Sequence, residues 1–107
     1  MNMKQWSVSG KAKSDLAAIR RFTLEQWGRQ KAEEYLNSLY EKIRLIAKHP
    51  SIGIDCSKSL NLGREIRSII YVSHIIYYAV SETHISVVAV LHQSMVPKKH
   101  LLSRLQE

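Results

Sequence analysis

Apolar residues recur along this chain with two different periods, and the change from one to the other divides it. At the N-terminus Met3, Gln5 and Ser7 alternate with Lys4, Trp6 and Val8, a two-residue period that predicts a first strand. Ser9-Gly10-Lys11 interrupts it. Ser14 and Asp15 then offer a hydroxyl and a carboxylate to unpaired backbone N–H groups, which predicts a helix start there. Leu16, Ile19, Phe22 and Trp27 follow at roughly helical spacing, and Gly28 can take the left-handed conformation that ends the helix. A second helix is expected from Gln30 through Ala32, Tyr35, Leu36, Leu39, Ile43, Ile46 and Ala47, until Pro50 stops it. Two helices meeting at one glycine make an antiparallel hairpin.

After Pro50 the helical period disappears. Ser51 to Gly63 is rich in Gly, Ser, Asn and Asp without a clear period, and reads as a long loop of the kind that more often carries function than links domains. Beyond Gly63 the residues become β-branched and aromatic. Glu65–Ile70, His74–Val80 and His84–Leu91 read as three consecutive strands, separated by Tyr71-Val72-Ser73 and Ser81-Glu82-Thr83. Pro97 to Leu105 can form a short basic helix with Leu101, Leu102 and Leu105 on one side. The predicted order is β-α-α-β-β-β, an α+β class: an antiparallel sheet of about four strands, the first beside the C-terminal three, with the hairpin packed on one face.

Size and charge narrow this picture. A chain of 107 residues, 45% hydrophobic, suits one domain spanning 1–107 and can bury a core. Its single cysteine, Cys56, makes no intramolecular disulfide, and the polar N-terminus and short apolar runs suggest neither a leader nor a membrane span, so a cytoplasmic location is expected. Net charge is +7, and residues 1–50 hold +5 of it, from ten basic and five acidic side chains. An anionic partner is implied, whether nucleic acid or an acidic protein.

Candidate chemistry is sparse. Five histidines (His49, His74, His84, His92, His100) and Cys56 are scattered without metal-ligand spacing, and no phosphate-binding glycine loop occurs, so neither metal nor cofactor is expected. Asp55 beside Cys56 disfavours a thiolate nucleophile. Glu33, Glu34 and Glu41 lie among Lys31, Lys42 and Arg44, where helical ion pairing accounts for them, and Asp15 is accounted for as a helix-start residue. What remains is Arg64, Arg67, His74 and His92, with Lys98, Lys99 and His100 close behind. If strand register brings Arg67 beside His74, a fixed cation and an imidazole would converge, a combination suited to general acid–base cleavage of RNA. The competing reading has the arginines as exposed strand residues and the histidines bonded at strand ends.

Several segments, taken in order, resemble the ParE toxins of bacterial type II toxin–antitoxin modules, within the ParE/RelE superfamily. They are Ala12-Lys13-Ser14-Asp15-Leu16 with Ile19, Trp27-Gly28, Tyr35-Leu36, His49-Pro50-Ser51-Ile52-Gly53 with Asp55-Cys56, Gly63-Arg64, Ser73-His74-Ile75-Ile76-Tyr77-Tyr78, and Val90-Leu91-His92-Gln93-Ser94-Met95. The resemblance covers about nine tenths of the chain, and it implies the same β-α-α-β-β-β fold. It also implies a growth-inhibiting toxin, as in plasmid stabilisation, neutralised by a ParD-like antitoxin with an acidic C-terminal segment.

Within that superfamily ParE-type members typically poison DNA gyrase by binding, whereas RelE-type members cut ribosome-bound mRNA. In the RelE type an arginine typically precedes the apolar run of the middle strand, and a tyrosine or histidine near the C-terminus assists; here His74 stands at the first position and no tyrosine follows Tyr78. Loss of a bidentate phosphate clamp favours the gyrase reading, with mRNA cleavage by Arg67, His74 and His92 as the alternative. Target-contact candidates are then Arg64, Arg67, His74, His92, Met95, Lys98 and Lys99, although Val96 stands where the family more often has an acidic residue. Antitoxin-contact candidates, on the hairpin and an open sheet edge, are Trp27, Tyr35, Leu39, Arg64 and Tyr77.

Overall fold

A computed structural model describes residues 4–105. The chain begins with β1 (Gln5–Val8), and the Met3 end of the predicted strand lies outside the described residues. Helix α1 (Gly10–Trp27) starts a turn earlier than expected. Its cap is Ser9, whose Oγ accepts the Ala12 N–H at 3.1 Å, while Ser14 sits within the first turns and donates back to the Gly10 carbonyl. Asp15 is therefore no helix-start residue, and its carboxylate is used elsewhere. At Gly28 the backbone reaches φ +91°, a value that any side chain would strain, and its N–H closes on the Leu24 carbonyl. Helix α2 (Arg29–Lys48) follows at once.

The segment expected as a loop carries structure. A 3-10 turn (Pro50–Ile52) leads into β2 (Ile54–Asp55), which pairs antiparallel with Ser68 and Arg67 of β3 (Ile66–Tyr71). Two residues are too few to leave a period in the sequence. Gly53 fixes this crossing: its N–H donates to the Tyr78 hydroxyl at 2.9 Å, that hydroxyl donates to the Pro50 carbonyl, and a Cβ at Gly53 would stand 2.5 Å from the hydroxyl.

Strands β4 (His74–Val80) and β5 (His84–His92) complete the sheet, in the order β1-β5-β4-β3-β2. It thus has five strands among the described residues rather than about four, and β1 runs parallel to β5 where an all-antiparallel sheet was expected. Parallel pairing is available because the whole hairpin and three strands intervene.

A β-bulge sets which side chains face the helices. Tyr77 lies opposite Ala89 but Tyr78 opposite Val87, so Val88 is the extra residue. Val87 and Val90 consequently share the helix-facing side with Ile76, Tyr78 and Ile85, against Leu16 and Ile19 of α1 and Leu36, Leu39, Ile43 and Ile46 of α2. On the opposite face Tyr77, Ala79, Ala89 and Leu91 meet Leu62 and the buried Leu101 of α3 (Pro97–Leu105).

The bulge also frees two backbone groups beyond the end of β1. Asp15 Oδ2 accepts the Val90 N–H at 2.9 Å, and Arg104 Nη1 donates to the Val88 carbonyl at 2.9 Å. The two side chains join through a forked ion pair at 2.6 and 2.9 Å, tying α1 to α3 across the edge of β5. No helix among the described residues is long and apolar enough to cross a membrane.

Candidate functional site: a groove with a paired-histidine floor

Helix α1 loses its cover before it ends. Ala12, Leu16 and Ile19 are buried, but the last two turns reach past the sheet, leaving Phe22 62% and Trp27 71% exposed. A groove of about 700 Å³ opens between this overhang, α2 and the near end of the sheet. Phe22, Trp27, Val72 and Met95 give it apolar walls; Tyr35, His74 and His92 form its polar floor.

Register places the two histidines together, since His74 is the cross-strand partner of His92 at the mouths of β4 and β5. Their rings lie 5.4 Å apart at 89°, edge to face. The Tyr35 hydroxyl is 2.6 Å from His74 Nδ1 and packs its ring against both His74 and Tyr71. Ser94 closes the other end, its backbone N–H and hydroxyl both on His92 Nδ1 at 3.1 and 2.7 Å. A backbone N–H only donates, so His92 Nδ1 is the acceptor and the neutral ring carries its proton on Nε2.

Burial, and then the neighbouring His92, push the His74 pKa below its ordinary value, while burial pushes the Tyr35 phenol up. Both groups are therefore neutral near pH 7, and their short hydrogen bond joins two uncharged partners. The sign for stability follows: a histidine whose folded pKa is depressed binds a proton more readily when unfolded, so acid favours unfolding. Stability of the isolated protein is expected to fall as pH drops below about 6.5, the unfolded histidine value. His74→Gln should flatten that decline in urea titrations between pH 5 and 7, and an unchanged slope would assign it elsewhere.

Val72 forms the groove's lip at a strained backbone position, φ +54° for a β-branched residue in the turn between β3 and β4, and 68% exposed. Asparagine tolerates that conformation. Val72→Asn is expected to raise the unfolding free energy by about 1 kcal/mol while weakening any ligand that uses the lip. A destabilised variant in thermal melts would contradict the strain assignment.

The sequence candidates separate into three groups. Trp27, Tyr35, His74, His92 and Met95 meet in the groove. Arg67 does not: it pairs with Tyr78, four residues along the strands from the Tyr71–His74 pair, about 13 Å at the usual strand rise. Its guanidinium donates to Glu65 at 2.7 Å and to the Gly53 carbonyl at 2.8 Å, holding the β2 crossing. The register that would have brought Arg67 beside His74 is not the one found, because a short β3–β4 turn separates them. Leu39 and Tyr77 are corrected as contact residues too. Leu39 is fully buried under the hairpin, and Tyr77 is 4% exposed on the α3 face.

Arg64, Lys98 and Lys99 are exposed and lie outside the groove. Cys56 donates its thiol to the Ile66 carbonyl, and burial raises its pKa, which suits a packed side chain rather than a nucleophile. No group of three or more metal-ligating side chains occurs among the described residues. Sequence reasoning missed Phe22 and Val72 as groove residues. Phe22 reads as core by spacing, but Thr23 takes the inward position of that turn.

Residues 7–97 match the family model of the ParE toxin of type II toxin–antitoxin systems, parDE. The chain belongs to the ParE toxin family. It is 34% identical over 99 residues to Toxin ParE1 of Caulobacter vibrioides, covering 92% of this chain and 99% of that protein. Toxin ParE1 of Mycobacterium tuberculosis is 34% identical over 98 residues, covering 91% and 97%. In fold the chain is similar to a solved chromosomal ParDE toxin–antitoxin system from P. aeruginosa, with a TM-score of 0.69 at 16% identity over 84% of this chain and 96% of that one. The ParE match takes in the whole groove and ends at Pro97, so Lys98, Lys99 and the Arg104 tie lie beyond it.

Proposed function

We propose that this ParE-family toxin arrests growth by binding and poisoning DNA gyrase, and that a ParD-like antitoxin silences it by seating a segment in the groove. The engagement of Arg67 carries the reading against catalysis. A ribonuclease built on His74 and His92 needs a cation at the scissile phosphate, yet Arg67 is committed to Glu65 and Gly53 about 13 Å along the strands. A neutral, partly buried His74 hydrogen-bonded to Tyr35 suits recognition better than phosphate stabilisation.

Support for the antitoxin half comes from the groove walls. Exposed aromatic residues on the apolar walls of a concave groove are the usual anchors of a protein interface, and a net charge of +7 draws an acidic partner. Induced synthesis in bacteria tests the target. The reading expects chromosomal double-strand breaks and blocked replication with ribosome-bound transcripts intact. Transcripts cut in register with codons, without DNA breaks, would overturn it in favour of the nuclease alternative.

A further inference from the structure

We propose that His74 and His92 form a carboxylate-binding subsite within the groove, which receives an acidic side chain of the docked antitoxin segment. This rests on the antitoxin reading above and adds the chemistry of one contact to it. With its Nδ1 accepting the Ser94 N–H, the neutral His92 ring carries its proton on Nε2, while His74 Nδ1 shares its hydrogen bond with the Tyr35 hydroxyl. Neither Nε2 has a hydrogen-bond partner among the described residues. His92 Nε2 donates when its ring is neutral and both Nε2 atoms donate when the rings are protonated, so one cross-strand pair offers a donor to each oxygen of a carboxylate.

The charges around the pair leave that role open. From α1, Asp15 faces the groove but is held by Arg104 and the Val90 N–H. From α2, Lys31 and Glu34 line the wall with opposite signs, and Tyr35 is neutral; from β3, Tyr71 adds a second phenol. The floor's own charge is therefore set by the two imidazoles. Apolar walls at Phe22, Trp27, Val72 and Met95 select a peptide segment with one apolar side over a phosphodiester chain, which would bury those residues against its charged backbone.

Docking a carboxylate favours the imidazolium form, so binding takes up a proton and tightens as pH falls. A rise of one pKa unit in a single histidine corresponds to a tenfold gain in affinity at pH values below both the free and the bound pKa, and to about threefold to sixfold between pH 8.0 and 6.0.

The test uses the full-length antitoxin of this pair, with affinity measured by fluorescence anisotropy at pH 6.0 and 8.0 and constant ionic strength. Wild-type toxin should bind about fivefold tighter at pH 6.0 than at pH 8.0. His92→Gln should lose most of that gain, and His74→Gln with His92→Gln all of it, circular dichroism verifying the fold of each. Equal affinity at both pH values, weaker binding at pH 6.0, or a slope retained in His92→Gln would overturn the subsite and leave the antitoxin reading standing. Trp27→Ala separates the two: if it binds the antitoxin as wild type does, the groove is not the docking site and both fail.

Discussion

Replacing Asp15 with alanine is expected to lower the unfolding free energy by about 3 kcal/mol, the largest effect of any single change outside the apolar core. The carboxylate is 15% exposed and does two things at once. It neutralises Arg104, itself 14% exposed, and it accepts the Val90 N–H that the bulge leaves without a strand partner. Alanine takes the Asp15 charge away from a mostly buried guanidinium and strands a backbone donor, and each costs free energy for its own reason.

A compensating pair sharpens the point. Swapping a buried ion pair for apolar residues of similar volume is often neutral. Here Asp15→Leu with Arg104→Met should recover only part of the loss, because the Val90 N–H and the Val88 carbonyl would remain without partners, at about 1–3 kcal/mol for each buried group. Urea unfolding of the three variants measures this. A loss under 1 kcal/mol for Asp15→Ala would mean that α3 is not tied to α1 in solution.

Trp27→Ala is the change expected to affect antitoxin binding most, and it should leave the fold almost untouched. An indole 71% exposed contributes little to folding, so melting should stay within about 0.5 kcal/mol of wild type. In a complex that fills the groove, the same side chain becomes a buried aromatic anchor. Truncating such an anchor costs about 2–4 kcal/mol, or roughly thirty- to a thousand-fold in Kd. Phe22→Ala should act in the same direction with a smaller loss. Calorimetric titration with the antitoxin reads both, and unchanged affinity for both variants would remove the groove as the docking surface.

The fold was legible in the sequence wherever a side-chain period was long enough to see. The hairpin and the three C-terminal strands follow from runs of six to twenty residues. Shorter or more distant features left no period. The two-residue β2 exists only through its pairing with β3, and Asp15 looked like a cap because its partner Arg104 lies 89 residues away. The parallel placement of β1 depends on how the hairpin crosses the sheet, which local pattern does not encode.

Site residues were legible by type more than by place. His74 and His92 stood out as histidines near apolar strands, but their meeting depends on the register that the Val88 bulge sets. Counting outward from a two-residue turn at Val72-Ser73 pairs Tyr71 with His74 and so Arg67 with Tyr78. Reading the turn one residue longer, from Tyr71, hid this. Helical spacing alone marks Leu39 as a core position, as the structure has it.

Resemblance to ParE toxins supplied what local patterns did not, the identity of the family, and the match over residues 7–97 bears it out. A likeness of fold does not choose a target. The claim that this chain acts by binding gyrase is tested most directly with purified components: toxin, gyrase, ATP and supercoiled plasmid, followed by denaturation of the enzyme. The account predicts linear DNA left by trapped cleavage complexes, rising with toxin and suppressed when antitoxin is added first. Absence of linear DNA, from toxin that still binds its antitoxin and cuts ribosome-bound mRNA, would contradict it.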